Sequence, residues 1–228
     1  MNVPGRGAMP GSGSFYERRV FPWLNDKLTA GPELMRIRAD ALAAATGRVL
    51  EIGFGSGPNL AHYPAAVESL VAIEPNVGMQ ARAAAHIRQS RIPVTTVVGR
   101  AETLPVPDRS IDTAVSTLTL CTVSDPGRTL AELRRVLRDD GRLIVMEHGL
   151  SEEPGVARWQ GRLNGLQNVV ACGCNLNRPI ADLVERAGFR FETLRKFYVP
   201  NVPRTHGWFS VGVARPLTAE PGAGAREI

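Results

Sequence analysis

Cysteines are scarce in this chain, which limits both disulfides and zinc sites. Its 228 residues contain only Cys121, Cys172 and Cys174, which cannot all pair with one another, and no Cys-x-x-Cys motif occurs. A disulfide framework and a zinc motif are therefore poorly supported. We expect a reducing, cytoplasmic compartment and predict no metal site.

Long apolar runs are also missing. No stretch reaches the roughly 18 apolar residues of a membrane-spanning helix, and no apolar segment precedes Phe15, so we expect no secretory signal. The net charge of +5 is modest, and the basic residues are not interleaved with aromatic ones. We therefore expect no nucleic-acid partner, whereas peripheral contact with an acidic membrane surface stays open.

One stretch combines a strand with closely spaced glycines. The run from Arg48 to Ile52 predicts a buried strand, Gly53, Gly55 and Gly57 follow it, and Pro58 predicts the first turn of a helix. Because glycine has no Cβ, backbone amides in such a loop approach a ligand closely. The Glu-x-Gly-x-Gly-x-Gly spacing differs from the dinucleotide-binding motif and indicates S-adenosylmethionine (SAM) rather than NAD.

Apolar strand patterns alternate with helical patterns, which predicts an α/β fold with a parallel sheet covered on both faces. Strands are predicted at 48–52, 70–73, 94–98, 111–116, 142–147, 190–197 and 207–214, with a turn at Asp140–Gly141. The joint between the last two strands is short and without a helical pattern, so these strands should be antiparallel.

The chain is predicted to contain one domain. Residues 1–14 are rich in glycine and proline and should be disordered, residues 15–215 form the domain, and residues 216–228 form a flexible tail. The apolar segment from Phe15 to Leu28 is either a helix packed on the domain edge or a lid over the ligand pocket.

The strand ends predict the ligand contacts, because ligands of open α/β sheets lie beyond the carboxyl ends of the strands. Glu51 can accept hydrogen bonds from the loop or, through water, from a ligand ammonium. Glu74 can accept both hydroxyls of a ribose. The segment 100–102 can recognise an adenine edge, and the segment 117–121 can line the methionine arm.

Several segments together resemble the class I SAM-dependent methyltransferases. They are the glycine loop with Glu51, the pair Glu74-Pro75, the segment 101–112 and the segment 133–143. Across about 49–148 the nearest broad branch resembles the ubiquinone and menaquinone biosynthesis C-methyltransferases. A narrower resemblance, to the methyltransferase-like family of animal membrane-associated thiol methyltransferases, lies in the segments 119–123, 146–148 and 173–176. It extends to about Phe189.

Two departures accompany this resemblance. The animal proteins carry an apolar N-terminal anchor, for which residues 1–14 offer no counterpart, and Asp139-Asp140 replaces the usual Pro-Gly.

The resemblance implies a three-layer Rossmann-like sandwich with a seven-stranded, mostly parallel sheet whose last strand is antiparallel. It also implies SAM as cofactor. Met79 would pack either against the adenine or in the core. The candidate cofactor-binding residues are Glu51, Gly53, Gly55, Gly57, Asn59, Glu74, Pro75, Met79, Ala101, Glu102, Thr117 and Leu118.

The sequence says less about the methyl acceptor and the catalytic base than about the cofactor. Methyl transfer from a sulfonium is an in-line displacement that needs mainly positioning, but a thiol must first lose its proton. His148, after the fifth strand, is the candidate catalytic base, or else an imidazole fixed in the pocket wall by Glu147. The apolar segment 159–175 predicts a pocket for a lipophilic acceptor.

These patterns predict a SAM-dependent methyltransferase that acts on a small lipophilic acceptor, with a thiol favoured. The alternatives are C-methylation of a quinone precursor, N-methylation of a lipid amine and a non-catalytic SAM-binding protein. A nicotinamide-dependent oxidoreductase is disfavoured by the glycine spacing and by the lack of a Tyr-x-x-x-Lys pair. The oligomeric state is not predicted.

Overall fold

The structure is a computed structural model that describes residues 14–217. The predicted disorder of 1–14 therefore lies outside the described residues except for Ser14. The same holds for the predicted tail beyond Leu217.

The architecture is a single seven-stranded sheet with the order β3-β2-β1-β4-β5-β7-β6. All strands run parallel except β7, which is antiparallel to both β5 and β6. The predicted fold class is thus confirmed. The strands are β1 (Gly47–Ile52), β2 (Val67–Ile73), β3 (Val94–Val97), β4 (Ile111–Thr117), β5 (Leu137–His148), β6 (Phe189–Tyr198) and β7 (Trp208–Pro216).

Helices cover both faces of the sheet. A π-helical turn (Tyr16–Val20) leads into α1 (Phe21–Thr29), followed by α2 (Pro32–Leu42), α3 (Val77–Gln89), α4 (Pro126–Val136), α5 (Pro154–Val170), α6 (Ile180–Arg186) and the short α7 (Arg204–Gly207). Alternate residues of each buried strand face opposite sides. Leu50 packs in one core with Leu133 and Val184 of α4 and α6, whereas Val49 packs in another with Ile37 of α2 and Ala83 of α3.

Local chemistry explains two differences from the expected elements. The helix predicted to start at Pro58 is wrong, because only a 3₁₀ turn (Leu60–His62) forms there. Tyr63 precedes Pro64 and is extended, as a residue before proline prefers, so no helix continues. The predicted turn at Asp140–Gly141 is instead part of an irregularity within β5, whose pairing with β4 jumps from Leu137 to Arg142.

The last part of the sheet differs from the prediction in two ways. The joint between β6 and β7 was expected to have no helix, which is wrong, because it contains the four-residue helix α7, and β7 runs on to Pro216.

Within residues 14–217, none of the helices is both long enough and apolar enough to cross a membrane.

Candidate functional site

A cavity of about 410 Å³ lies at the carboxyl ends of β1 to β4. Residues from the loops that follow these strands line it, which is the position expected for a ligand of an open α/β sheet. Eight of the predicted cofactor residues are in this lining: Gly53, Gly55, Glu74, Pro75, Met79, Ala101, Glu102 and Leu118.

The glycine loop takes a backbone conformation that side chains disfavour. Gly53 and Gly55 have φ angles of +64° and +58°. A Cβ on Gly53 would lie 2.1 Å from Oγ1 of Thr119, whereas a Cβ on Gly55 would meet no atom closer than 3.9 Å. Gly53 therefore lets the loop after β1 pack against the loop after β4, and Gly55 leaves its backbone open.

Glu74 is a buried carboxylate at the end of β2. Its Oε2 accepts a hydrogen bond from the Gly55 amide at 2.9 Å, and its Oε1 accepts one from the Asn76 amide at 2.7 Å. Burial raises the pKa of Glu74, and these two amide bonds oppose the rise. Because a carboxylate oxygen has more than one lone pair, each oxygen can still accept a ligand hydroxyl.

Glu51 belongs to a buried polar network behind the cavity. It accepts hydrogen bonds from Nδ2 of Asn59 at 2.8 Å and from the hydroxyl of Tyr63 at 2.7 Å. Arg38 donates to Asn59 Oδ1 at 2.6 Å and to Thr117 Oγ1 at 3.3 Å. Burial raises the pKa of Glu51 to about 8, against the opposing effects of Tyr63, Arg38 and Asn59.

Four of the predicted cofactor residues are thus not part of the described cavity lining. They are Glu51, Gly57, Asn59 and Thr117. Three of them form the network that supports the glycine loop from behind. Sequence reasoning missed Arg38 and Tyr63 as members of this network. The sequence does carry a signal for Arg38, because it lies four residues from both Leu34 and Leu42 and so falls on the apolar face of α2. In the structure Arg38 is almost fully buried.

The wall after β3 is fixed by Glu102. Its Oε1 accepts hydrogen bonds from the amides of Ser124 and Asp125, at 2.8 and 3.3 Å, next to the start of α4. Oε2 lies 3.6 Å from Nε of Arg100. The carboxylate therefore already has protein partners, and it holds two segments of the cavity wall together.

The loop after β4 is shaped by Glu147 of β5. This fully buried carboxylate accepts hydrogen bonds from Oγ of Ser116 at 2.7 Å and from the amides of Thr119 and Leu120 at 2.8 and 2.9 Å. Burial raises the pKa of Glu147, and these bonds oppose the rise. Leu118, in the same loop, has a φ of 53°, so this anchor holds a residue in the left-handed region beside the cavity.

His148 lies beside this site but outside the described cavity lining. Its Nε2 is 3.1 Å from Sγ of Cys174, and the ring packs against Phe209. Within residues 14–217, its Nδ1 is buried without a hydrogen-bond partner. The alternative prediction is that Glu147 fixes the imidazole of His148. In the structure the Glu147 carboxylate bonds to the loop after β4, and the imidazole contacts Cys174.

The N-terminal segment closes the cavity from above. Glu17, Arg18, Phe21 and Asn25 all contribute to its lining. Nδ2 of Asn76 donates to the Glu17 carbonyl at 2.8 Å, which ties the π-helical turn to the start of α3. Of the two readings of Phe15–Leu28, the geometry favours the lid.

The segment 159–175 contributes less to the cavity than predicted. Only Cys172 and Gly173 from it are in the lining. Trp159, Leu166 and Val169 of α5 are exposed by 56%, 67% and 76%. Its apolar side chains therefore form a surface rather than a pocket.

Comparisons with known proteins agree with this geometry. A family model described as a methyltransferase domain matches residues 50–145. The thiol S-methyltransferase TMT1B of Homo sapiens is 30% identical over 175 residues, which cover 74% of this chain and 71% of that protein. The demethylmenaquinone methyltransferase of Renibacterium salmoninarum is 32% identical over 126 residues, covering 54% of this chain and 52% of that protein.

A solved structure extends the agreement to the whole fold. The SAM-dependent methyltransferase and possible histamine N-methyltransferase of Thermotoga maritima superposes with a TM-score of 0.63 at 25% sequence identity. The match covers 88% of this chain and 98% of that one. With its sheet order, its strand-end cavity and these relatives, the chain belongs to the class I SAM-dependent methyltransferases, and SAM is its cofactor.

Proposed function

We propose that this methyltransferase acts on the sulfur of a small lipophilic thiol. The observation that carries the proposal is a convergence of three segments that are distant in the chain. The segments resembling thiol methyltransferases bring Cys121, His148 and Cys174 together, with their ligand atoms within 4.8 Å of one another. Thr119 and Gly173, from two of these segments, line the cavity. The 30% identity with the human thiol S-methyltransferase TMT1B also supports a thiol acceptor.

We infer that the cavity holds the cofactor as follows. Gly53 and Gly55 form the backbone cradle, because their missing side chains leave the amides open to a ligand. Glu74 accepts the ribose hydroxyls, and Met79 packs against the adenine near Ala101 and Glu102. Glu51 supports the loop through Asn59 from behind the cavity, so the predicted water-mediated contact of Glu51 with the ligand ammonium is not part of this proposal. Bound SAM supplies an electrophilic methyl group on a sulfonium centre.

The chain's own contribution to the reaction is positioning. A thiol as acidic as that of cysteine is a few per cent thiolate at neutral pH, so such an acceptor can bind in its ionised form without a base. Arg18 and Arg100 line the cavity, but so do Glu17, Glu74 and Glu102, and Nε of Arg100 lies 3.6 Å from Glu102, so the wall offers no net positive charge to a thiolate. His148 stays a predicted base, but its Nε2 already contacts Cys174, which supports a positioning role instead.

The proposed cofactor contacts are tested by calorimetric titration with SAM. Glu74→Gln should weaken SAM binding by about 1 to 3 kcal/mol, because a buried hydroxyl partner loses a charged acceptor. Glu68→Gln is the matched control, since Glu68 lies on the same strand but is exposed. Equal affinity of the wild type and Glu74→Gln would contradict the ribose assignment.

The acceptor is tested by a methyl-transfer screen over lipophilic thiols, phenols, quinols and lipid amines. We expect turnover with thiols, and kcat/KM should rise with pH along the ionisation of each thiol. If two thiols of different acidity share one pH profile, an enzyme group is the base. Turnover with demethylated quinols alone would favour the quinone-precursor alternative, for which the demethylmenaquinone methyltransferase relative is the argument.

We further propose that the lipophilic acceptor enters from a membrane surface. Six of the exposed apolar side chains of the lid and of α5 form what we call the entry surface: Phe15, Val20, Trp23, Leu166, Val169 and Val170. The Tyr16 hydroxyl donates to the Val170 carbonyl at 2.8 Å, so the two parts of this entry surface are adjacent. Apolar side chains on one surface of a basic protein suit an anionic lipid interface.

A further inference from the structure

Three buried side chains meet beneath the cavity wall. Cys121 follows β4, His148 ends β5 and Cys174 lies in the loop after α5. The two sulfurs and an imidazole nitrogen all lie within 4.8 Å of one another, and Nε2 of His148 is 3.1 Å from Sγ of Cys174. We call these three residues the Cys-His-Cys cluster.

We propose that the Cys-His-Cys cluster binds one Zn²⁺ ion. Two thiolates and an imidazole form a donor set that zinc uses in proteins, with Zn–S near 2.3 Å and Zn–N near 2.0 Å. At tetrahedral angles these bond lengths separate two sulfurs by about 3.8 Å, and a sulfur from a nitrogen by about 3.5 Å. In the structure no two of the three ligand atoms are more than 4.8 Å apart, and Nε2 of His148 is 3.1 Å from Sγ of Cys174, so side-chain adjustments of about 1 Å reach these separations.

The charge balance of the Cys-His-Cys cluster also favours Zn²⁺. When Zn²⁺ binds, both thiols release their protons to solvent, and the imidazole binds in its neutral form. A divalent cation with two thiolates then has no net charge. This matters because Cys121 and Cys174 are both buried, and an uncompensated charge would be costly there.

The backbone prepares the cluster before any ion binds. The amide of Asn175 donates to the Cys121 carbonyl at 2.9 Å, and its Nδ2 donates to the same oxygen at 3.1 Å. These bonds hold the loop of Cys174 against the loop of Cys121. Pre-positioned ligands reduce the ordering that binding requires, which distinguishes a site from a chance encounter of side chains.

A zinc ion here would fix the cavity wall. Cys172 and Gly173 line the cavity and have φ angles of 48° and 100°, in the left-handed region. The ion would tie the adjacent Cys174 to the sheet through His148, so this strained turn would stay in place. The three protein ligands leave a fourth position, which we assign to water. This inference does not depend on which acceptor is methylated.

The test is the zinc content of the full-length protein, purified under reducing conditions and equilibrated with Zn²⁺. We expect one zinc per chain in the wild type. Cys121→Ser and Cys174→Ser should weaken zinc binding on the order of a hundredfold or more. Cys172→Ser is the matched control and should keep the ion, because Cys172 lies outside the cluster. A wild type that does not retain zinc, or equal retention in all three variants, would overturn the site.

Cobalt binding to the wild type keeps the proposal testable if the serine variants fail to fold. Co²⁺ at two thiolates gives a sulfur-to-metal charge-transfer absorption, so its absence would also overturn the site. A Cys121–Cys174 disulfide in the reduced preparation, detected by mass spectrometry, would do the same. SAM titration of the same samples separates the two proposals, since zinc binding can fail while the cofactor site stays intact.

Discussion

Gly53 and Gly55 share a positive φ but differ in what surrounds them. A methyl group on Gly53 would collide with Thr119, whereas one on Gly55 meets no atom closer than 3.9 Å. Left-handed backbone costs an L-residue roughly 1 to 2 kcal/mol in either case. Gly53→Ala should therefore lower the free energy of unfolding by more than this, and Gly55→Ala by about this amount. Chemical denaturation of the two variants measures the difference.

The loss of SAM affinity should not follow the loss of stability in these two variants. Gly55→Ala leaves the fold largely intact, so a weakened SAM titration would report the ligand cradle directly. If Gly53→Ala is no less stable than Gly55→Ala, the packing of the β1 loop on Thr119 is incorrect.

Glu51 should make stability depend on pH. Its pKa is raised from an ordinary 4.5 to about 8 by burial. Between these values the folded state holds a proton that the unfolded state has released, so the free energy of unfolding falls as pH rises through this range. Glu51→Gln removes that proton difference and should flatten the pH dependence. Denaturation at several pH values tests it, with exposed Glu68→Gln as the control whose profile should match the wild type.

Single residues show where sequence reasoning succeeds and where it stops. Glu74 could be assigned to the cavity because it directly follows a predicted strand, downstream of the glycine loop. Arg38 could not be assigned a partner, because its contacts, Asn59 and Thr117, lie on other elements and only the fold brings them together.

The lid, Phe15–Leu28, is attached to α3 by a hydrogen bond that a single substitution can remove. Asn76 caps α3 through its Oδ1 and holds the lid through its Nδ2. Asn76→Asp keeps the cap but replaces the donor with an oxygen that repels the Glu17 carbonyl. We expect faster proteolysis of the lid and SAM binding weakened several-fold, with an unchanged unfolding midpoint.

Limited proteolysis with and without SAM measures this attachment. Gln89→Glu makes the same amide-to-carboxylate change on the exposed end of α3 and should leave the lid protected. Equal cleavage of the lid in both variants would argue against its tether at Asn76.

At the level of elements, the buried strands were the most predictable part of the chain, because both faces of a parallel sheet demand apolar residues. The helix at Pro58 was not, since Pro64 ends the segment too soon. The exposed face of α5 was also misjudged: its apolar residues alone do not say whether they face a pocket or the surface.

At the level of the whole molecule, the entry surface should bind membranes. We expect the protein to co-sediment with anionic lipid vesicles, more weakly at high salt because its net charge of +5 contributes to the attraction. The double variant Trp23→Ser/Val169→Ser should lose most of this binding. Val98→Ser is the control, because Val98 is exposed by 49% but belongs to neither the lid nor α5.

Unchanged vesicle binding by the double variant would place the membrane contact elsewhere.

The overall fold was predictable from strand and helix alternation together with the family resemblance. The convergence of Cys121, His148 and Cys174 was not, because residues so far apart in the chain have no fixed spacing that a motif could record.

The placement of β7 between β5 and β6 has a consequence for synthesis of the protein. Because the ribosome synthesises the chain from its N-terminus, β1 to β5 emerge before β7, the strand that completes their sheet. Until Trp208–Pro216 has emerged, the outer edge of β5 lacks its neighbour, and β6 has no strand to join. A nascent chain stalled just before Trp208 should therefore be protease-sensitive and bound by chaperones, although it already carries every residue of the proposed cofactor site.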